Sequence, residues 1–436
     1  MAPPSFEPTR TTSATLVHNL AHEIIWLIAA VAILGILIRP WGLPEAVWAA
    51  AGAAILVLGS LLPLHDAWTA VARGTDVYLF LAGMMLLAEL ARTEGLFDWV
   101  AALAVRWARG APSRLFGLVY LVGIVVTALL SNDATAVVLT PAVYAAATKA
   151  RTDPLPYLLI CAFIANAASF LLPISNPANL VVFASHLPPL PAWMAAFALP
   201  SLAAIAATFF VLRATQRGAL RAGFAISVPL PPLTRGARLA ALGILLTAAA
   251  LLCASAAGLE LGLPTFAAGG ITTALVLALD RRSPWSIVKG VSWGVIPLVA
   301  GLFVLVAGLA RTGLLAALGA LLHRLTLHSG HAATLAAGAG TAALSNLMNN
   351  LPVALIAGSI GVGARVSPQL KDAMLVGVDL GPNLSVTGSL ATILWLIALR
   401  REKVHLGGLT FLRLGILVMP PALLLSLAVI VLQQSH

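Results

Sequence analysis

Two polar runs interrupt this very apolar chain: Ser131-Asn132-Asp133-Ala134-Thr135 and Ser345-Asn346-Leu347-Met348-Asn349-Asn350-Leu351-Pro352. Asn350 occupies in the second run the place that Asp133 holds in the first, so an amide replaces an acid. Side chains of this kind accept bonds from the free amides at a helix start, and Asp133 fits that capping role. A half-helix N-terminus exposed at mid-membrane is also a substrate-binding device, and a carboxyl group there can carry a proton. Three asparagines in eight residues are costly in lipid, which argues against packing as their purpose. Pro352 suits the first turn of a returning helix, where no amide donor is needed.

Two further stretches carry the same chemistry. Asn166, Ser169 and the run Pro173-Ile174-Ser175-Asn176-Pro177-Ala178-Asn179 cannot form a regular helix, because two prolines remove amides and the polar side chains offer replacements. The run from Asp379 to Ser389, which contains Gly381-Pro382-Asn383 and Thr387-Gly388, does the same; its plainest alternative reading is a proline-glycine kink capped by Asp379. Two hairpin tips and two broken helices make a four-part polar site. The candidate substrate-binding residues are Ser131, Asn132, Thr135, Asn166, Ser175, Asn176, Asn179, Asn346, Asn349, Asn350, Asn383, Thr387 and Ser389. Asp133 and Asp379 are the candidate proton carriers, since a deep charge must be neutralised, paired or hydrated.

Other ionisable groups read more plainly. Glu89 has Arg92 three residues on, an i, i+3 pair; Asp76 marks a helix start; Glu23 with His22 lies near a helix end. Glu94, Asp98, Asp372 and most remaining acids fall in loops or helix ends, where solvation is the default. Cys161 reads as a small buried hydrophobe, and His323, His328 and His331 as a solvated loop whose spacing matches no metal site. There is no nucleophile–base pair, no metal constellation and no phosphate-binding loop, so the sequence suggests neither an enzyme nor a cofactor. Energy must come from an ion gradient or a separate partner.

The elements that hold these residues belong in a bilayer. Hydrophobic residues are 60% of the 436, charged residues 9%, and the mean hydropathy is +1.00. The net charge of +10 reflects arginines along loops rather than nucleic-acid binding. The first apolar run, near 20–38, is too long for a signal-peptide core and reads as a retained helix. The passage Leu90-Ala91-Arg92-Thr93-Glu94-Gly95-Leu96 returns as Leu309-Ala310-Arg311-Thr312-Gly313-Leu314, so the halves are related.

We read an all-α polytopic membrane protein of two repeats, each with about five spanning segments, one of them broken, plus a re-entrant hairpin. The spans fall near 20–38, 45–63, 76–92, 156–186 and 190–213, then 238–258, 263–280, 291–309, 369–399 and 407–433. Two half-length apolar runs meet in each hairpin, at 114–149 and 332–365. The organisation is thus a tail (1–19), a first repeat (20–213), a basic linker (214–237) and a second repeat (238–436). An odd number of crossings inverts the second repeat. With that parse all but six of the 25 basic residues share a side, the exceptions being Arg10, Arg73, Arg311, Arg324, Arg365 and Lys371. That side is expected to be cytoplasmic, with both termini outside.

The passages Leu81-Ala82-Gly83-Met84-Met85-Leu86-Leu87-Ala88-Glu89-Leu90, Ser131-Asn132-Asp133, Met348-Asn349-Asn350-Leu351-Pro352 and Asp379-Leu380-Gly381-Pro382-Asn383, followed by Gly388-Ser389-Leu390-Ala391-Thr392, resemble the arsenical pump membrane protein (ArsB) family. The family belongs to the ion transporter superfamily, with NhaD-type sodium/proton antiporters and sodium/dicarboxylate carriers. The resemblance runs from about residue 76 to 433 and is most specific in the second half. Ser175-Asn176-Pro177-Ala178-Asn179 is similar to the wider superfamily. It implies export of arsenite and antimonite across a bacterial inner membrane in exchange for protons, with a separate arsenite-stimulated ATPase as an optional partner. Arsenous acid is a neutral trihydroxide, which needs donors and acceptors rather than cations, and no basic residue lies within the four motifs. The alternatives are a sodium/proton antiporter or sodium/carboxylate carrier of the same superfamily and, in another class, a passive metalloid channel.

Overall fold

The computed structural model describes residues 10–183, 187–221, 223–224, 229–363 and 366–433. The described chain is helical throughout, and its elements run in the same order twice. The first series is α1 (Arg10–Ile38), α2 (Glu45–Leu58), α3 (Leu64–Arg73), α4 (Thr75–Thr93), α5 (Leu96–Ala108), α6 (Pro112–Leu129), α7 (Asn132–Ala134), α8 (Thr140–Lys149), α9 (Leu155–Ala167), α10 (Pro177–Phe183) and α11 (Leu190–Thr215). The second is α12 (Arg235–Ala256), α13 (Gly262–Leu279), α14 (Trp285–Gly290), α15 (Val295–Arg311), α16 (Leu314–His328), α17 (Gly330–Met348), α18 (Asn350–Gly363), α19 (Pro368–Leu380), α20 (Leu390–Arg401) and α21 (Gly408–Gln433). Among the described residues six helices are long and apolar enough to cross a membrane, or up to eight if two bent pairs each count as one span.

Contacts divide the chain into two units. The smaller comprises residues 1–74 and 294–318. Within it α2 of the first series packs on α15 of the second, where Gly301 lies so close to Ala49 that a side chain there would collide with its backbone. Trp26 donates to the Thr312 hydroxyl at 2.9 Å, and Arg311 pairs with Asp66 at 2.8 Å. The larger unit, residues 75–293 and 319–436, repeats that crossing with the roles exchanged: α13 packs on α4, with Gly83 and Gly269 at the closest approach. Small residues let apolar helices approach where lipid supplies no hydrophobic drive.

The larger unit also holds both hairpins and both broken helices. Tryptophans brace them: Trp395 on α20 donates to the Leu158 carbonyl of α9 at 2.9 Å, and Trp193 on α11 to the Phe170 carbonyl at 3.2 Å. Phe163 and Phe411 stack at 5.0 Å beside Trp395.

Several boundaries differ from the sequence reading. The first helix begins at Arg10, inside the stretch read as a tail; residues 1–9 and Arg365 lie outside the described residues. The segment read as a span over 45–63 is a 14-residue helix, about 21 Å long, too short to cross a hydrocarbon layer of about 30 Å upright. The limbs entering the hairpins are 18 and 19 residues, longer than the half-length runs expected. Two stretches taken for loops are helices: α5 buries Phe97, Ala101, Ala104, Val105 and Ala108 along one face, and α16 carries His323 and His328 exposed on a helix rather than in a loop. Glu94, read as solvated, is buried and paired with Arg282 at 3.2 Å, because α4 packs against α12 and α13 there. Asp372 is half-buried in the first turns of α19.

Candidate functional site

Four half-helices begin at the four polar motifs, and each is capped by a side chain of its own motif. Ser131 Oγ accepts from Ala134 N at 3.2 Å, Asn176 Oδ1 from Ala178 N at 3.0 Å, Asn349 Oδ1 from Leu351 N at 3.3 Å and Ser389 Oγ from Thr392 N at 3.1 Å. These caps satisfy amides that a helix start otherwise leaves free.

The first hairpin turns at Leu130-Ser131. Thr135 Oγ1 meets Thr127 Oγ1 across it at 2.8 Å, and Asn132 Oδ1 accepts from the Asp133 amide at 2.9 Å. Residues Thr135–Leu139 form a π-helical turn just before Pro141, whose ring would clash with the preceding carbonyls of a regular helix. The Asp133 carboxylate is half-buried and makes no hydrogen bond among the described residues. The second hairpin turns at Asn349, at φ 74° and ψ 154°, a region costly for a residue with a side chain. The strain is held by the adjoining broken helix. Asn350 N donates to Gly388 O at 2.9 Å; Asn346 donates to Ala342 O and Gly381 O and accepts from Ser385 Oγ at 2.6 Å; Thr387 Oγ1 donates to Asn346 O. The Asn350 side chain is buried and makes no hydrogen bond among the described residues.

Between the broken helices the bonds cross from one series to the other. Asn176 Nδ2 donates to Asp379 Oδ1 at 2.8 Å, and Ser389 Oγ donates to Asn166 Oδ1 at 3.3 Å. Asn166 and Asp379 each stand at the end of the first half-helix, ten residues before Asn176 and Ser389 respectively, so the two bonds are equivalent with the halves exchanged. Asn166 Nδ2 also donates to Asn383 Oδ1 at 3.0 Å and Thr392 Oγ1 at 3.3 Å, and Asn383 donates on to Phe163 O at 3.0 Å. Asn179 ties the first break together through the Ser169, Leu172 and Pro173 carbonyls, while Ser175 Oγ donates to Ala128 O of the hairpin. Asp379 is 0% exposed, and its Oδ2 has no hydrogen-bond partner among the described residues; Asn179 Oδ1 is likewise buried without one among them.

All fifteen residues singled out from the sequence therefore lie in the larger unit, at the caps or crossings of the four motifs. Their bonding differs. Asn166, Asn383 and Asn346 are spent on protein partners, whereas the tips retain unused capacity at Asn132 Nδ2, Asp133 and Asn350. Thr392 and Ser385 join the cluster without having been singled out. Thr392 stands three residues after Ser389 as Asn179 stands three after Asn176, a correspondence that superposing the two halves would have revealed. Cys161 is buried and donates to the Tyr157 carbonyl of its own helix at 3.7 Å. Glu89 pairs with Arg92 at 2.5 Å, and Asp76 accepts from the Gly262 amide at the start of α13. Among the described residues no Lys or Arg bonds to any of the four motifs, and no three His, Cys, Asp or Glu side chains are grouped to hold a metal.

Apolar spans, paired hairpins and paired broken helices meeting in a buried polar cluster define a polytopic membrane transporter. A family model described as citrate transporter (CitMHS) matches residues 24–378. An arsenical pump membrane protein of Yersinia enterocolitica is 30% identical over 416 residues, spanning 91% of this chain and 95% of the relative, and one from Escherichia coli is 28% identical with the same coverage. The YdaH transporter of Alcanivorax borkumensis, at 17% identity, shares the fold with a TM-score of 0.56 over 84% of this chain and 87% of its own. The chain belongs to the citrate transporter (CitMHS) family and is related over nine-tenths of its length to the arsenical pump membrane proteins.

Proposed function

We propose that this transporter exports arsenite and antimonite from the cytoplasm in exchange for protons, by alternating access. The observation that carries the reading is the cluster's composition: amides, hydroxyls and two carboxyl groups, with half-helix starts already capped and no cation bonded to them. A trihydroxide can exchange donor and acceptor bonds with Asn132, Asn349 and Asn350 at the hairpin tips. A carboxylate substrate would call for guanidinium groups or uncapped helix starts, which disfavours the citrate that names the wider family. The choice of a metalloid rests on the relatives, which are arsenical pump membrane proteins.

In this mechanism Asp133 and Asp379 exchange the coupling proton. Asp379 is suited to it: Asn176 holds one carboxyl oxygen, and the other, without a hydrogen-bond partner among the described residues, can take a proton. Because Asn176 and Asp379 belong to different halves, loading the acid alters the contact between the two broken helices, and movement of hairpins and broken helices then exposes the site alternately to each side. The repeats are inverted in this reading, the arginine-rich loops face the cytoplasm of a bacterial inner membrane, both termini lie outside, and a separate ATPase is an optional partner.

The test is arsenite uptake into everted membrane vesicles with a proton gradient, with an uncoupler, and with a sodium gradient instead. Arsenite export in exchange for protons predicts uptake that collapses with the uncoupler and is lost in Asp133→Asn and Asp379→Asn. Sodium-dependent proton movement without arsenite uptake would make it a cation antiporter; arsenite flux indifferent to the gradient would make it a channel.

A further inference from the structure

We propose that the corner where α5, α6 and the segment after α11 meet is a binding surface for anionic phospholipid headgroups. The end of α5 and the start of α6 carry Arg106, Arg109 and Arg114, all exposed. The segment that follows α11 folds back onto the same place: Phe224 N donates to the Gly110 carbonyl at 3.3 Å, Leu220 is buried, and the turn at Ala219–Arg221 packs on α6. This brings Arg213, Arg217 and Arg221, also exposed, beside the first three. Arg213 lies over the Phe209 ring, which in turn packs against Phe116 and Tyr120 of α6. Among the described residues none of the six guanidinium groups has an acidic partner, whereas Arg92, Arg282 and Arg311 elsewhere are each paired.

Topology alone accounts for arginines scattered along loops; it does not account for six drawn together by a backbone bond and left without counter-charge. Apolar rings select the occupant. Trp107, 62% exposed, lies between Arg106 and Arg109 in the chain, and Phe210, 65% exposed, stands one turn before Arg213. Aromatic rings beside guanidinium groups at the ends of spanning helices match the boundary between acyl chains and charged headgroups, where basic clusters hold anionic lipids. A soluble acidic protein would gain nothing from rings turned toward lipid. Since α5 leads directly into the first hairpin, a lipid held here would fix the base of that hairpin.

The experiment uses the full-length chain in mixed micelles and follows quenching of Trp107 fluorescence, isolated by subtracting Trp107→Phe, by brominated phosphatidylglycerol or brominated phosphatidylcholine. Phosphatidylglycerol is expected to quench at about tenfold lower concentration, with the preference fading at high salt. R106Q/R109Q/R217Q/R221Q should abolish the preference, the corresponding four-lysine variant should keep it, and R281Q/R400Q/R401Q, altering arginines elsewhere, should leave it intact. Equal quenching by both lipids, or a preference unchanged in the glutamine variant, overturns the proposal. So does competition by glycerol phosphate at the phosphatidylglycerol concentration, which indicates a free-phosphate site, or retention of a soluble acidic protein without lipid preference. Should the glutamine variant fail to fold, the headgroup preference and salt response of the unaltered chain decide alone.

Discussion

Asn166→Ala separates residues that hold the cluster together from those left to bind. The Asn166 amide makes three side-chain hydrogen bonds in a site that is 1% exposed. At about 1 kcal/mol each these account for about 3 kcal/mol, and the substitution also strips Asn383 Oδ1 of its donor, which costs about 1–3 kcal/mol more. Ser389 and Thr392 lose less, because they bond each other at 2.8 Å. A total of about 4–6 kcal/mol follows, enough to lower the unfolding temperature by several degrees. Asn350→Ala and Asp133→Asn alter side chains without hydrogen bonds among the described residues and are expected to stay within about 1 kcal/mol of the parent chain while losing arsenite uptake. The assay is a paired measurement on each variant: thermal unfolding by intrinsic fluorescence, and initial uptake rate in everted vesicles. An Asn166→Ala protein that melts with the parent, or an Asn350→Ala protein that loses several degrees, refutes the division.

Other expectations follow from the same contacts. Asn176→Ala removes both the donor to Asp379 Oδ1 and the cap on Ala178 N; it should weaken gradient-driven uptake, and in an Asp379→Asn background its cost in thermal unfolding should fall toward that of the lost cap, about 1 kcal/mol, whereas an undiminished cost would mean that the bond to Asp379 contributes nothing. Arg282→Ala should destabilise more than Glu94→Gln, by about 1–2 kcal/mol in thermal unfolding, since it leaves a buried carboxylate unpaired while Arg282 can rehydrate. Gly83→Leu drives a side chain into the Thr265–Phe266 backbone, and a loss of about 1–3 kcal/mol should appear in the same measurement; an unchanged melt would show that α4 and α13 can part freely.

Much of this arrangement was legible because breaks are written locally. Proline, glycine and asparagine at 131–141, 173–179, 349–352 and 381–389 deny a continuous helix, and the structure turns or unwinds at each. Pairings were not legible, because residues far apart make them: Asn166 and Asn383 are 217 positions apart, and Glu94 and Arg282 are 188. Without its partner Glu94 reads as a loop acid, and without Asn383 an asparagine that braces the fold reads as one that binds a solute. Two short helices escaped notice for another reason. The α5 apolar stripe is alanine-rich and shares its helix with Asp98, Arg106 and Trp107, so a search for spanning-length runs passes over it.

Equivalent positions in the two halves carry one acid and one amide: Asp133 with Asn350, and Asp379 with Asn166. Two identical subunits joined by a two-fold axis would present every such residue in duplicate, so an acid at either position would come as two. A single chain is free of that constraint. Joining the halves lets one copy keep an ionisable group while its counterpart becomes a neutral amide, so each pair of equivalent positions holds one carboxyl group instead of two. The asymmetry of charge is thus a property available to the tandem chain and denied to a dimer of its halves.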